Sequence, residues 1–187
     1  MGERVVASYC TTFLKPEMLH IYRQVTSLQN YKTFVMTKSL QNSNRFPCSD
    51  VELIPEPGFN PLRHGWLKFV KRQAPILYRG EYQLLSSLLD RRGADLMHIY
   101  FGHTGVHLLP FVKHWNKPCV VSFHGADVGL KQDIRDYAGK LKDLFSAVPL
   151  VFARSRSLSD RLVSLGCPAE KLRLCRTGVP LKDFPYV

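Results

Sequence analysis

The sequence predicts an α/β fold, a doubly wound Rossmann-like domain with a central, mainly parallel sheet. Residues 96–101 and 118–123 are short apolar runs bounded by turn residues, which is typical of strands buried on both faces. A helix-length segment at 104–115 separates them, and strand, helix and strand in this order favour a parallel β-α-β unit. Because ligands bind at the carboxyl ends of parallel strands, we expect the site among polar residues that follow strands.

The other elements continue the same alternation. Strands are predicted at 4–10, 31–37, 51–54, 96–101, 118–123, 149–153 and 171–176. Helices are predicted at 16–29, 66–91, 104–115, 131–146 and 155–165. The segment 171–176 alternates polar and apolar residues, as a strand near the sheet edge does. Ser155 is expected to cap the last helix, which Gly166 and Pro168 end.

Size and composition indicate one ordinary globular domain. The chain has 187 residues, of which 45% are hydrophobic, and it contains no apolar run near the roughly 20 residues that span a bilayer. Met1 leads directly into the first predicted strand, so we expect no signal peptide. Five cysteines, without a C-x-x-C pair, favour free thiols in a reduced, cytoplasmic setting.

The net charge of +11 indicates an anionic partner. Residues 60–92 carry seven Lys or Arg and only two Asp or Glu. Around a helix at 66–79, the apolar and basic side chains fall on opposite sides, as in a surface helix that covers a sheet. Aromatic residues near Lys and Arg also suit peripheral contact with an anionic membrane, and both interpretations stay open.

The richest polar cluster follows the predicted strand at 118–123. It contains His124, Gly125 and Asp127. The glycine lets a ligand approach the backbone, and the imidazole can donate to a phosphate or hydroxyl oxygen. Asp127 stands where it could cap the next segment. A hydrogen-bonded structural histidine is the alternative, but the strand-end position favours a functional one.

The preceding strand ends in a similar way. Phe101, Gly102 and His103 follow it, and Gly102 is expected in a tight turn before a helix whose first amides could receive an anion. His103 and His107 have the i, i+4 spacing of a zinc pair, but no acidic residue lies between them, so we do not expect a metal protease. His98 lies within the strand and is expected to be structural.

The loop after the first strand is expected to contain Thr11, Thr12 and Lys15, whose side chains could bind a sugar or a phosphate. A dinucleotide-binding domain would place a G-x-G-x-x-G motif at this position. The loop has no glycine, which argues against a dehydrogenase.

Two more strand ends add candidates to the same edge of the sheet. Arg154 and Ser155 follow the strand at 149–153, and the guanidinium could bind a phosphate. Thr177 and Gly178 follow the last strand. Ordinary capping and turn roles are the alternative for all four.

Four stretches, taken together and in this order, resemble the N-terminal half of family 4 glycosyltransferases, which are retaining enzymes of GT-B fold. The stretches are 98–102, 121–127, 153–172 and 177–184. The likeness is strongest with branches that build exopolysaccharide or colanic-acid-like polymers. It covers residues 96–184 well and residues 1–40 loosely.

The resemblance implies two facing Rossmann-like domains with the reaction in the cleft between them. Residues 1–178 would form the acceptor-side domain, and residues 179–187 would begin the linker to a donor domain beyond Val187. The implied partners are a nucleotide-sugar and a glycan or lipid-linked acceptor. No metal and no cofactor besides the nucleotide-sugar co-substrate is expected. Residues 1–187 alone should catalyse little or no transfer.

Individual residues match the family's motifs. His124 matches the histidine of the family's HG motif, which lies against the donor sugar and the reacting phosphate, so its implied role is to orient the sugar and stabilise charge. Gly125 and Asp127 belong to the same motif, and Gly102 matches an earlier glycine. Thr177 stands where the family usually has Asn.

Two other functions stay open. A stand-alone carbohydrate- or phosphate-binding module could work with a separate donor-domain subunit. A nucleic-acid-binding domain is suggested by charge alone, and no nucleic-acid motif supports it, so we expect no nucleic-acid partner. Peripheral attachment to the inner face of the plasma membrane through residues 66–79 is the open alternative to a purely cytoplasmic location.

Overall fold

The computed structural model describes residues 3–55, 62, 70, 79–129 and 136–178. The described strands are β1 (Val5–Phe13), β2 (Lys32–Leu40), β3 (Val51–Leu53), β4 (Leu96–Tyr100), β5 (Cys119–Phe123), β6 (Leu150–Ala153) and β7 (Leu172–Leu174). The described α-helices are α1 (Leu19–Thr26), α2 (Arg79–Arg91), α3 (Gly102–Val112), α4 (Tyr137–Ala147) and α5 (Arg156–Ser164). Single 3-10 turns occupy Pro16–Met18, Ala126–Val128 and Ala169–Lys171.

All seven described strands form one parallel sheet in the order β3-β2-β1-β4-β5-β6-β7. The chain first steps outward from β1 to β3, returns to pair β4 with β1, and then steps outward the other way to β7. This reversal between β1 and β4 confirms the doubly wound, Rossmann-like fold. It also opens a crevice for ligands beyond the carboxyl ends of these strands.

Each face of the sheet has its own buried core. The larger cluster joins Tyr9, Ile99 and Val121 to apolar residues of α2, α3, α4 and α5. The smaller cluster joins alternate sheet residues, such as Cys10 and Tyr100, to residues of α1. Because successive strand residues point to opposite faces, β4, β5 and β6 also present side chains on the face where α1 packs. Part of the site described below lies on this face, at the carboxyl ends of the strands.

Several boundaries differ from the sequence prediction, and two of these differences affect candidate site residues. Strand β1 continues to Phe13, because Thr12 and Phe13 pair with Ser39 and Leu40 of β2. Thr11 and Thr12 therefore lie in a strand and not in the predicted loop. Helix α3 begins at Gly102, so the predicted turn there is the first turn of a helix.

Several predictions fall on residues outside the described ranges. These are most of the predicted helix at 66–79 with its membrane contact, the first part of the helix at 131–146, and the linker at 179–187. Within the described part of the chain, no helix is long and apolar enough to span a membrane. All five cysteines are free thiols, as predicted.

Candidate functional site

The carboxylate of Asp127 holds the strand ends of β4 and β5 together. One of its oxygens accepts from the backbone amides of His124 at 2.9 Å and Gly125 at 2.8 Å. The other accepts from the amide of Gly102 at 2.8 Å, at the start of α3. Asp127 is 1% exposed. It belongs to the predicted candidate cluster, but burial and these three bonds make it a structural residue that holds the framework beneath the site.

Gly102 is also part of the framework. It is buried, and a methyl group at its Cα would overlap the ring of Phe123. The glycine is therefore required for close packing of α3 on β5, and not for the tight turn that the sequence suggested. Gly125, in contrast, is exposed and has open space where a Cβ would be. Its φ of +115°, and not close packing, favours glycine at this position.

Phe101 joins the end of β4 to α3 in a strained conformation. Its φ of 75° is rare for a residue other than glycine, and such strain costs about 1–3 kcal/mol. The conformation brings its ring to the imidazole of His124, with 4.6 Å between the ring centroids. The strain is therefore located where two candidate residues meet.

His124 lies at the end of β5 and is half-buried. Its Nδ1 is 3.0 Å from Nε2 of His20 in α1, and the two ring centroids are 4.8 Å apart. Burial is the main cause that lowers the pKa of His124 to about 3, and the neighbouring His20 and Arg154 contribute in the same direction. The ring is therefore neutral at physiological pH. Its Nε2 is buried without a hydrogen-bond partner among the described residues.

His20 is a site residue that the sequence analysis missed. Burial, and then the charge of Arg154, lower its pKa to about 4, so it too is neutral. His20 and His124 are 104 positions apart, and no motif links them. The usable signal was its position in the first turn of the helix that follows β1, because that turn faces the carboxyl ends of the strands.

Two cavities flank His124. The α1 cavity, of about 650 Å³, lies between α1 and the ends of β5, β6 and β7. The α5 cavity, of about 680 Å³, lies at the start of α5. Both are of the size that binds small ligands. They share one wall, formed by His124, Arg154, Arg176 and Thr177.

The walls of both cavities are rich in arginine. Arg23 adds a third guanidinium to the α1 cavity, and Arg161 adds a third to the α5 cavity. No Asp or Glu from the described ranges lines either one. Guanidinium groups bind phosphate and carboxylate oxygens in paired geometry, so the walls suit an anionic ligand.

The structure brings together part of the predicted site. Of the predicted residues, the α5 cavity contains Gly125 and Ser155, the α1 cavity contains Gly178, and both contain His124, Arg154 and Thr177. Ser155 also caps α5, as predicted, by accepting from the amide of Leu158 at 3.1 Å. The described linings of the two cavities do not include Thr11, Thr12, Lys15, Phe101, Gly102, His103 or Asp127.

The remaining histidines in β4 and α3 are not among the described residues that line the two cavities. His98 is buried and bonded to the hydroxyl of Ser122, and burial lowers its pKa to about 4. Its ring stacks on Tyr100 with 4.2 Å between centroids. His103 and His107 have centroids 6.5 Å apart. Within the described ranges, no three His, Cys, Asp or Glu residues form a group that could hold a metal ion.

Comparisons with known proteins agree with this architecture. Residues 43–183 match the family model described as Glycosyltransferase Family 4. The amylovoran biosynthesis glycosyltransferase AmsK of Erwinia amylovora is 30% identical over 93 residues, which are 49% of this chain and 23% of AmsK. A colanic acid biosynthesis glycosyltransferase, WcaL of Salmonella typhimurium, is 33% identical over 64 residues, or 34% of this chain and 16% of WcaL.

A solved structure shows the same fold at low identity. HepE of Anabaena in complex with UDP-glucose superposes with a TM-score of 0.67 and 14% identity, over 95% of this chain and 45% of HepE. The likeness thus covers nearly all of this chain. The chain spans less than half the length of HepE, and its matches with AmsK and WcaL cover less than a quarter of either relative.

Proposed function

Because the chain belongs to glycosyltransferase family 4, we propose that it is the acceptor-side part of an enzyme that moves a sugar from a nucleotide-sugar to a glycan or lipid-linked acceptor. The process would be exopolysaccharide biosynthesis, by analogy with AmsK and WcaL. The observation that carries the proposal is the position of His124, at the carboxyl end of β5 between two arginine-lined cavities.

The α5 cavity suits the diphosphate of the donor. Arg154, Arg161 and Arg176 line it, and the N-terminal end of α5 adds the partial positive charge of a helix start. A nucleoside diphosphate gains negative charge as it leaves the sugar, and a hydrogen-bond donor already in place stabilises that charge. A neutral His124 can donate such a hydrogen bond through a ring N–H. A second domain, beyond Val187, would hold the nucleotide.

The α1 cavity suits the acceptor. It is bounded by polar side chains of α1, including Gln24, Thr26 and Ser27, which can bond to sugar hydroxyls. Arg23 could pair with a phosphate of a lipid-linked acceptor or an acidic sugar. Because the two cavities share the wall that contains His124, the acceptor hydroxyl and the donor sugar would meet there.

The remaining features of the proposal follow the family. Transfer would retain the anomeric configuration and would use no metal and no cofactor other than the donor. Free thiols at all five cysteines support a cytoplasmic location. The identity of the donated sugar would be determined in the domain that would follow.

One observation favours a second candidate. Residues of this chain line a wall of each cavity, so the chain could act as a carbohydrate- or phosphate-binding module for a separate donor-domain subunit. The two candidates differ in whether one polypeptide carries out transfer.

The test is a transfer assay on the native gene product. Radiolabelled nucleotide-sugars are incubated with a membrane lipid extract, and the anomeric configuration of the new linkage is determined by NMR. We expect label in the lipid-linked fraction, the donor's configuration in the product, and no transfer by residues 1–187 alone. Inverted product, or clear turnover by the chain of 187 residues without a partner, would contradict the proposal.

A further inference from the structure

The pairing of His20 with His124 has a chemical consequence for the proposed site. A neutral imidazole has one N–H donor and one bare nitrogen acceptor. Two neutral rings joined between His20 Nε2 and His124 Nδ1 can therefore arrange their protons in two ways. Either His20 donates and His124 keeps its proton on Nε2, or His124 donates and its Nε2 is bare.

We propose that His20 is a positioning residue: its Nε2–H donates to Nδ1 of His124 and so holds His124 as the tautomer with a proton on Nε2. The hydrogen bond at one ring nitrogen determines which proton the other carries. The inference rests on the proposed function for the role of that proton, but the bond itself is a property of the chain.

The ring of His124 is held in place on several sides. Phe101 lies 4.6 Å away and Tyr100 lies 6.0 Å away, centroid to centroid, and the backbone amide of His124 is bonded to Asp127. A ring held this way cannot readily exchange its two nitrogens by turning over. The choice of tautomer therefore decides the chemistry of Nε2.

The surroundings favour a proton on Nε2. His124 lines two cavities with arginine-rich walls, in which the described residues include no carboxylate. A ligand suited to such walls presents phosphate oxygens, which only accept hydrogen bonds, so an N–H attracts them whereas a bare nitrogen repels them. Nε2 has no hydrogen-bond partner among the described residues. Its proton is therefore available to an oxygen of a ligand or of a closing second domain.

The test measures the tautomer directly, by long-range ¹H–¹⁵N correlation of the histidine rings in the ¹⁵N-labelled chain at pH 7.5. We expect the Nδ1 of His124 to be bare and its Nε2 protonated. In His20→Ala, both ¹⁵N shifts of His124 should move toward the average of the two tautomers. In His20→Gln, whose amide N–H can replace the donor, they should stay near the wild-type values.

The matched control is His114→Gln, which alters an exposed ring bonded to the carbonyl of Pro110 and should leave the signals of His124 unchanged. If His20→Ala does not fold, as judged by its amide spectrum, His20→Phe fills the same space without a donor. A proton on Nδ1 of His124 in the wild type would overturn the proposal. An unchanged tautomer in the variant that lacks the donor would do the same.

A kinetic measurement connects the tautomer to transfer. In the native gene product we expect His20→Ala to lower kcat about 10-fold with little change in KM, and His20→Gln to recover most of the loss. If kcat is unchanged in His20→Ala, the positioning role is wrong. If no variant or wild type shows any transfer, the proposed function fails, while the NMR result still decides the tautomer.

Discussion

The carboxylate of Asp127 is expected to be a stability element whose loss unfolds the strand ends beneath the site. Asp127→Ala removes three hydrogen bonds to backbone amides. The amide of Gly102 would then be buried without a partner, which costs about 1–3 kcal/mol, and the two amides nearer the surface add about 1 kcal/mol each. The expected total is about 3–5 kcal/mol, which is a large part of the stability of a small domain.

Asp127→Asn separates the contribution of the two carboxylate oxygens. Asparagine keeps one oxygen and places an NH₂ group where the other was. The backbone amides that donate to the replaced oxygen therefore lose their acceptor. The free energy of unfolding should fall by about 2–3 kcal/mol, less than in the alanine variant. The measurement is urea unfolding followed by far-UV circular dichroism.

Asp160→Asn, an exposed change on α5, is the matched control and should stay within about 0.5 kcal/mol of the wild type. A loss of less than 1 kcal/mol in Asp127→Ala would refute the reasoning. The same would hold if that variant kept its stability and lost only ligand binding, since Asp127 would then be a substrate contact.

Two further predictions concern packing and pH. Gly102→Ala should destabilise the fold by about 1–3 kcal/mol through overlap with Phe123, and chemical denaturation would detect this loss. Gly125→Ala should cost about 1–3 kcal/mol through its positive φ alone and leave the core unchanged. Burial lowers the pKa of His98 to about 4, so the folded state binds fewer protons than the unfolded state below pH 6.5. The contribution of His98 to the free energy of unfolding should be level above pH 6.5 and should fall toward pH 4. Between pH 7 and pH 5, His98→Gln should therefore lose about 2 kcal/mol less stability than the wild type. Equal pH profiles for wild type and His98→Gln would contradict this.

The fold could be predicted because its signals are local. Short apolar runs between turn residues locate β4 and β5 within about a residue of the observed ends, and parallel strands separated by helices leave few topologies. Boundaries were less accurate where pairing decides them. Strand β1 continues through Thr11 and Thr12 because β2 offers partners as far as Leu40, which a single segment does not reveal.

The site was predicted at the level of strand ends but not of individual contacts. His124 and Arg154 were found because each directly follows a strand, and strands of a parallel sheet end at one edge. His20 was missed because its role depends on a contact between α1 and the end of β5, which no local pattern encodes. Asp127 and Gly102 were included among the candidate site residues because position in the sequence does not distinguish a buried structural residue from an exposed residue that contacts a ligand.

If His124 acts as proposed, sugar transfer takes place beside its imidazole. The most direct measurement is the kcat of His124→Ala in the native gene product, compared with Arg156→Gln, which alters an exposed residue of α5 that is not among the cavity-lining residues. We predict that His124→Ala lowers kcat at least about 100-fold, a loss typical of removing one donor that stabilises developing charge, with the unfolding free energy little changed. Turnover of His124→Ala equal to that of the control would contradict the account.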